Sequence, residues 1–162
     1  MTNTNMSRRT LLAGAAALGG ATLLGLPAAS FGKPAAPLKM TMHRGPGCGC
    51  CVKWAEIARK SGYTVKIVDD PNLYELKTRL GVPKSLMSCH TTLAGPYVIE
   101  GHVPFDAVKK LLARRPKIKG IGVPGMPVGS PGMEHGDGHD HGPATPIDVW
   151  AFDAAGRVSV FG

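Results

Sequence analysis

The stretch "GPGCGCCVKWAE", residues 45–56, holds Cys48, Cys50 and Cys51, three of the four cysteines in the chain. Its flanks are what make it a constraint on the fold. Before it, "LKMTMHR" (38–44) alternates in the manner of a strand. After it, "CVKWAEIARKSG" (51–62) places Val52, Ala55 and Ala58 at helical spacing, with Gly62 as the stop. The thiols therefore sit on a strand-to-helix turn. A cysteine at a helix start has its thiolate stabilised by unpaired backbone N–H groups and by the helix dipole.

The elements that follow have a definite order. "YTVKIVDD" (63–70) is β-branched and predicts a strand, and "PNLYELKTRLG" (71–81) predicts a helix opening at Asp70-Pro71. "TTLAGPYVIEGH" (91–102) predicts two short strands around Gly95-Pro96, and "VPFDAVKKLLARR" (103–115) a third helix. Residues 116–147 are dense in Gly, Pro, Met and His and predict an irregular loop. Residues 147–162 predict a hairpin turning at Asp153–Gly156. The sum is an α/β fold, a βαβ half followed by a ββα half. It is the thioredoxin-like layout of a mixed sheet with helices on both faces. In it, Cys48 and Cys51 have CxxC spacing where a redox pair belongs.

The N-terminus reads as an address. Arg8-Arg9 precede an apolar run from Leu11 to Leu26 and small residues from Ala28 to Ser30. That order predicts a twin-arginine export signal over 1–30, a linker over 31–37 and a domain over 38–162. The run of 16 residues is short for a membrane span, so the processed chain is expected to be periplasmic and not an integral membrane protein. Without the signal, 17 Lys and Arg face 11 Asp and Glu, a charge of about +6. The basic residues are scattered apart from "KKLLARRPKIK", a cationic helix end that complements the helix dipole. Few aromatic residues and no recognisable module exclude a nucleic-acid binder.

Three thiols in an oxidising compartment leave several chemistries open. Two structural disulfides would account for four cysteines but not for their crowding. In disulfide exchange one thiol attacks and one resolves, so Cys50 would compete for the mixed disulfide. Cys50-Cys51 would make a strained bridge. Structural zinc prefers ligand pairs spaced by two to four residues, and Cys-x-Cys-Cys is too compressed for that. Cu(I) accepts low coordination and selects thiolates and thioethers, and bridging thiolates can hold more than one ion.

The fourth thiol is in "SLMSCHTTLAG", where Cys89-His90 precede the third strand. In a thioredoxin-like fold that point faces the cysteine loop, and most members carry a cis-proline there. Here the nearest upstream proline is Pro83. Cys48, Cys50, Cys51 and Cys89 thus form an expected four-sulfur pocket. His90 is either an outer ligand or a loop histidine capping a turn. Met126 and Met133 lie in a Gly/Pro loop, where they fill irregular space or offer thioether to Cu(I). His135, His139 and His141, with Asp137 and Asp140, form either a solvated polar loop or an accessory metal site. Met40, Met42 and Met87 read as core or edge residues, and His43 and His102 have no assigned role.

"PGCGCCVKW", "GVPKSLMSCHT", "YVIEGHVP" and "GIGVPGMPVGSPGME", in this order, resemble the CopG-like periplasmic copper-resistance family over residues 38–162. The resemblance implies a thioredoxin-like fold, periplasmic location and copper bound through Cys48, Cys50, Cys51 and Cys89. The His-rich stretch 135–141 extends beyond that pattern and inherits no role. The expected function is a copper-binding protein of metal tolerance. It would hold Cu(I), as a multinuclear cluster, for sequestration or for transfer to an exporter or chaperone. The alternative is a thioredoxin-like oxidoreductase, acting on disulfides or on Cu(II)/Cu(I), with Cys48 and Cys51 as its redox pair.

Overall fold

In the computed structural model, which describes residues 38–133 and 146–162, strand β1 (Lys39–Arg44) lies beside the parallel strand β2 (Thr64–Asp69). Helix α1 (Gly49–Lys60) makes the crossover between them. Helix α2 (Leu73–Arg79) and a 3-10 turn (Lys84–Leu86) lead to β3 (His90–Ala94) and β4 (Tyr97–Glu100). Helix α3 (Phe105–Arg114), β5 (Gly120–Gly122), β6 (Trp150–Phe152) and β7 (Val158–Val160) complete the described elements. The strands form one sheet in the order β2-β1-β3-β4-β5-β6-β7. β1 pairs antiparallel with β3, and β3 with β4. The expected thioredoxin-like βαβ–ββα arrangement is therefore present, extended at one edge by β5, β6 and β7.

Strand alternation divides the interior into two cores. Met40 and Met42 of β1, Ile99 of β4 and Ile121 of β5 pack with Trp54, Ala55 and Ala58 of α1 and Val108 and Leu111 of α3. Burying each large apolar side chain there contributes roughly 1.5–3 kcal/mol. Val98, one residue from Ile99, faces the other way and packs with Val82, Leu86 and Phe152. Leu80, at the end of α2, joins that second core. Helices thus cover both faces, and Met40 and Met42 are core residues as expected.

Glycines end the first two helices. At α1, the Gly62 amide bonds the Arg59 carbonyl and the Tyr63 amide reaches back to Ala58, with Gly62 at φ +91°. That pattern needs a left-handed residue, which glycine supplies without a Cβ clash. Gly81 repeats it after α2: Gly81 N–H bonds Thr78 and Val82 N–H bonds Lys77.

Residues 116–147 depart from the expected irregular loop. Gly120–Gly122 are strand β5, parallel to β4 and antiparallel to β6. One side chain in three residues leaves no periodicity to read. The packing nevertheless demands Gly120, because a Cβ there would collide with the Val98 carbonyl and the Phe152 ring. The C-terminal hairpin forms as expected, with the Gly156 amide bonded to the Asp153 carbonyl across its turn.

Candidate metal centre

Helix α1 begins two residues earlier than its apolar spacing indicates, with Cys48 at the N-cap. Cys50 and Cys51 therefore lie in the first turn, among the unpaired amides. The loop is tied to the sheet by Arg44, the last residue of β1. Its Nη1 donates to the Cys48 carbonyl at 2.6 Å, and its Nε meets Asp69 Oδ1 at 2.8 Å. Cys48 and Cys51 form a disulfide, with Cα atoms 5.4 Å apart. Cys50 and Cys89 are free thiols, so the four cysteines do not resolve into two structural bridges. The Cys50 sulfur lies 3.5 Å from that of Cys48.

Strand register brings Cys89 to this loop. His90 of β3 pairs with Arg44, the residue that opens the cysteine loop. Cys89, just before His90, approaches the thiols from the sheet side, and the Cys51 Sγ lies 3.9 Å from the Cys89 carbonyl. Register delivers one more ligand type. Thr91 pairs with Glu100, and the Gly101 amide bonds the His90 carbonyl, so the chain after β4 runs back past Cys89. His102 Nε2 then lies 2.9 Å from the Cys89 sulfur.

Hydrogen bonding defines the tautomer of His102. Its Nδ1 is 2.7 Å from the Pro131 carbonyl, which can only accept, so Nδ1 carries the proton. Nε2 is then the nitrogen that a neutral ring offers toward Cys89, the arrangement of a metal-ligating imidazole held by a backbone carbonyl. His90 is fully buried, edge-on to His102 at 4.9 Å between ring centroids and 5.2 Å from Trp54. Burial first, then His102 and Lys77, hold its pKa well below the ordinary histidine value, so the ring is neutral. Its Nε2 is a buried polar atom without a hydrogen-bond partner among the described residues. Burial, followed by the charge of Cys50, pushes the Cys89 thiol up to about 12. Cys89 is therefore protonated until a cation displaces the proton.

Two overlapping ligand sets result. In the first, the sulfurs of Cys48, Cys50, Cys51 and Cys89 all lie within 4.8 Å of one another. In the second, the same limit holds for ligand atoms of Cys51, Cys89, His90 and His102. Thiolate and neutral imidazole are the donors of soft and borderline transition metals, and the His90 nitrogen on the sulfur side is Nδ1, 3.5 Å from the Cys89 sulfur. Reduction of the disulfide would release the two sulfurs it occupies.

The expected four-sulfur pocket is thus assembled, and His90 stands at its buried end rather than capping a surface turn. His102 carried no sequence signal of its own, because a lone histidine after a strand says nothing of what lies across it. Met126 is half exposed at 51 %. Met133 follows a turn, its amide bonded to the Ser130 carbonyl, and that turn packs on the start of α1. Gly132 lies so close that a Cβ would come within 2.8 Å of the Cys50 carbonyl and the Trp54 amide. His135, His139 and His141 lie outside the described residues, as do the export signal and the linker.

Among the described residues no helix is long and apolar enough to cross a membrane. Residues 86–133, which include Cys89 and His102, match the family model described as a protein of unknown function, DUF411. No curated protein matches the chain. Two solved structures do: "Copper resistance protein copG", forms 1 and 2, each 40 % identical with a TM-score of 0.69. Each match covers 76 % of this chain, and 95 % of form 2 and 94 % of form 1. At that identity, over nearly the full length of those proteins, the chain belongs to the CopG-like copper-resistance family.

Proposed function

We propose that the protein binds Cu(I) through Cys48, Cys50, Cys51 and Cys89 and holds it for sequestration or for transfer to an exporter or chaperone. The observation that carries this is the convergence of four sulfurs from two separate elements to within 4.8 Å. Four thiolates carry a negative charge that a single monovalent ion leaves mostly uncompensated in a half-buried pocket. Several bridged Cu(I) ions neutralise it better, so the cargo is a small cluster. His90 and His102 provide nitrogen donors at the closed end. Met126 and Met133 of the Gly/Pro loop supply thioether, and His135, His139 and His141 form an accessory site for incoming copper. The Arg8-Arg9 signal exports the chain by the twin-arginine route, so the site works in the periplasm.

Cu(I) counting tests this. The processed chain is reduced, loaded without oxygen and assayed for copper per protein, beside Cys50→Ser. The variant is expected to hold fewer ions and to bind them more weakly. Equal stoichiometry and affinity in the two proteins would end the cluster proposal.

The Cys48–Cys51 disulfide favours a second reading, an oxidoreductase. The dithiol would give one electron to each of two Cu(II) ions, forming the disulfide, two Cu(I) ions and two protons. Catalytic reduction of insulin disulfides without metal would place this reading, in its thiol-exchange form, first.

A further inference from the structure

Glu100 is fully buried, as is its nearest cation, Lys77 at 4 % exposure. They meet on the face of the sheet covered by α2. A carboxylate there must have its acceptor positions filled, and those of Glu100 are filled in an instructive way. Oε1 accepts from Lys77 Nζ and from the Ser88 backbone N–H, the latter at 2.7 Å. Oε2 accepts from the Thr91 hydroxyl at 2.6 Å. Lys77 Nζ also donates to that hydroxyl at 2.8 Å, which closes the triangle. Ser88 immediately precedes Cys89, and Thr91 immediately follows His90. One carboxylate therefore grips both ends of the Cys89-His90 dipeptide.

Other contacts converge on the same short segment. The Ser88 hydroxyl donates to the Gly125 carbonyl at 2.6 Å. Gly101, at φ +73°, leaves no room for a Cβ, which would come within 2.6 Å of Ser88 Oγ. The Gly101 amide bonds the His90 carbonyl at 2.9 Å. No proline stands directly before β3 to fix the backbone. Stability alone does not call for an ion pair here, since buried pairs are often replaced by apolar residues without loss.

We propose that Glu100, braced by Lys77, is a positioning residue. It holds the Cys89 sulfur and the His90 ring opposite the thiols of α1 and so presets the copper site in the metal-free chain. This rests on the copper-binding reading above. Outer partners that orient metal ligands are typically worth about 10- to 100-fold in metal affinity.

The test compares wild type, Glu100→Gln and the paired apolar variant Lys77→Met/Glu100→Leu. Three quantities are measured: thermal unfolding, copper–thiolate absorption, and Cu(I) affinity against a chromogenic chelator. The paired variant, which also takes the acceptor from the Ser88 N–H and the Thr91 hydroxyl, is expected to unfold cooperatively at a lower temperature than wild type, to reach the same copper stoichiometry, and to bind about tenfold or more weakly. Its copper–thiolate absorption is expected to shift. If the paired variant does not fold, Glu100→Gln decides, because it keeps the shape and an acceptor for Ser88 but loses the acceptor for Thr91. Unchanged affinity and absorption in the folded variants would overturn the clamp while leaving copper binding intact. Failure of the wild type to bind Cu(I) would overturn the reading on which the clamp rests.

Discussion

Removing Lys77 while leaving Glu100 in place isolates a carboxylate that has no access to water. Breaking a buried pair in this way costs about 3–5 kcal/mol, so Lys77→Met is expected to lose that much stability at neutral pH. The loss should depend on pH in a definite direction. Burial raises the Glu100 pKa above the ordinary glutamate value, and the Lys77 ammonium is the leading influence pulling it back down. Without Lys77 it rises further, so the folded chain favours the protonated acid. The penalty is then full above the raised pKa and fades as pH falls toward the ordinary glutamate value. Urea unfolding of Lys77→Met at several pH values checks this, and a cost that does not change with pH would contradict it. Neither residue announced itself in the sequence. Lys77 sits in a polar helix and Glu100 in a short strand, and only the packing of α2 on the sheet makes them meet.

At the scale of elements, α1 and its N-cap residue carry three of the four cysteines, and Trp54 anchors the helix. Its Nε1 donates to the Val103 carbonyl at 3.0 Å, and its ring lies 4.8 Å from that of Phe105. Trp54→Phe retains most of the apolar volume but leaves the Val103 carbonyl unpaired in the core. The expected cost is about 1–3 kcal/mol, read from chemical denaturation. A loss below a few tenths of that scale would show that the bond does not anchor the helix. The place of α1 and its Gly62 stop were legible from apolar spacing and one glycine. Its first turn was not, because "GCC" has no periodicity and the start depends on Arg44 holding the Cys48 carbonyl. β5 was illegible for a related reason: its Gly-Ile-Gly sequence is dictated by what lies above and beside it.

Across the whole molecule, the two cores have separate tasks. The core holding Trp54 and Met42 underlies the thiols, while the one holding Phe152 joins α2 and the 3-10 turn to the added strands. Phe152→Ala is expected to cost about 3–5 kcal/mol through lost burial and a residual cavity. Copper stoichiometry should not change, because Phe152 belongs to neither ligand set. A lowered copper count in the folded variant would show that the two cores are coupled. The basic helix end also has a structural task. Arg114 Nη1 donates to the Gly162 carbonyl at 3.0 Å and Lys110 lies over the Phe161 ring, which ties the C-terminus to α3.

The sequence by itself determined the order of strands and helices apart from β5, the strand-to-helix turn that carries Cys48, Cys50 and Cys51, and the point where Cys89 re-enters. These follow from local periodicity, glycine stops and cysteine spacing, which a linear chain displays directly. Tertiary structure alone decided that His102 joins Cys89, that Pro131 selects its tautomer, and that Glu100 and Lys77 close beneath the site. Those relations join residues 13 to 29 positions apart. They exist only once antiparallel register and helix packing bring distant side chains into one low-dielectric space.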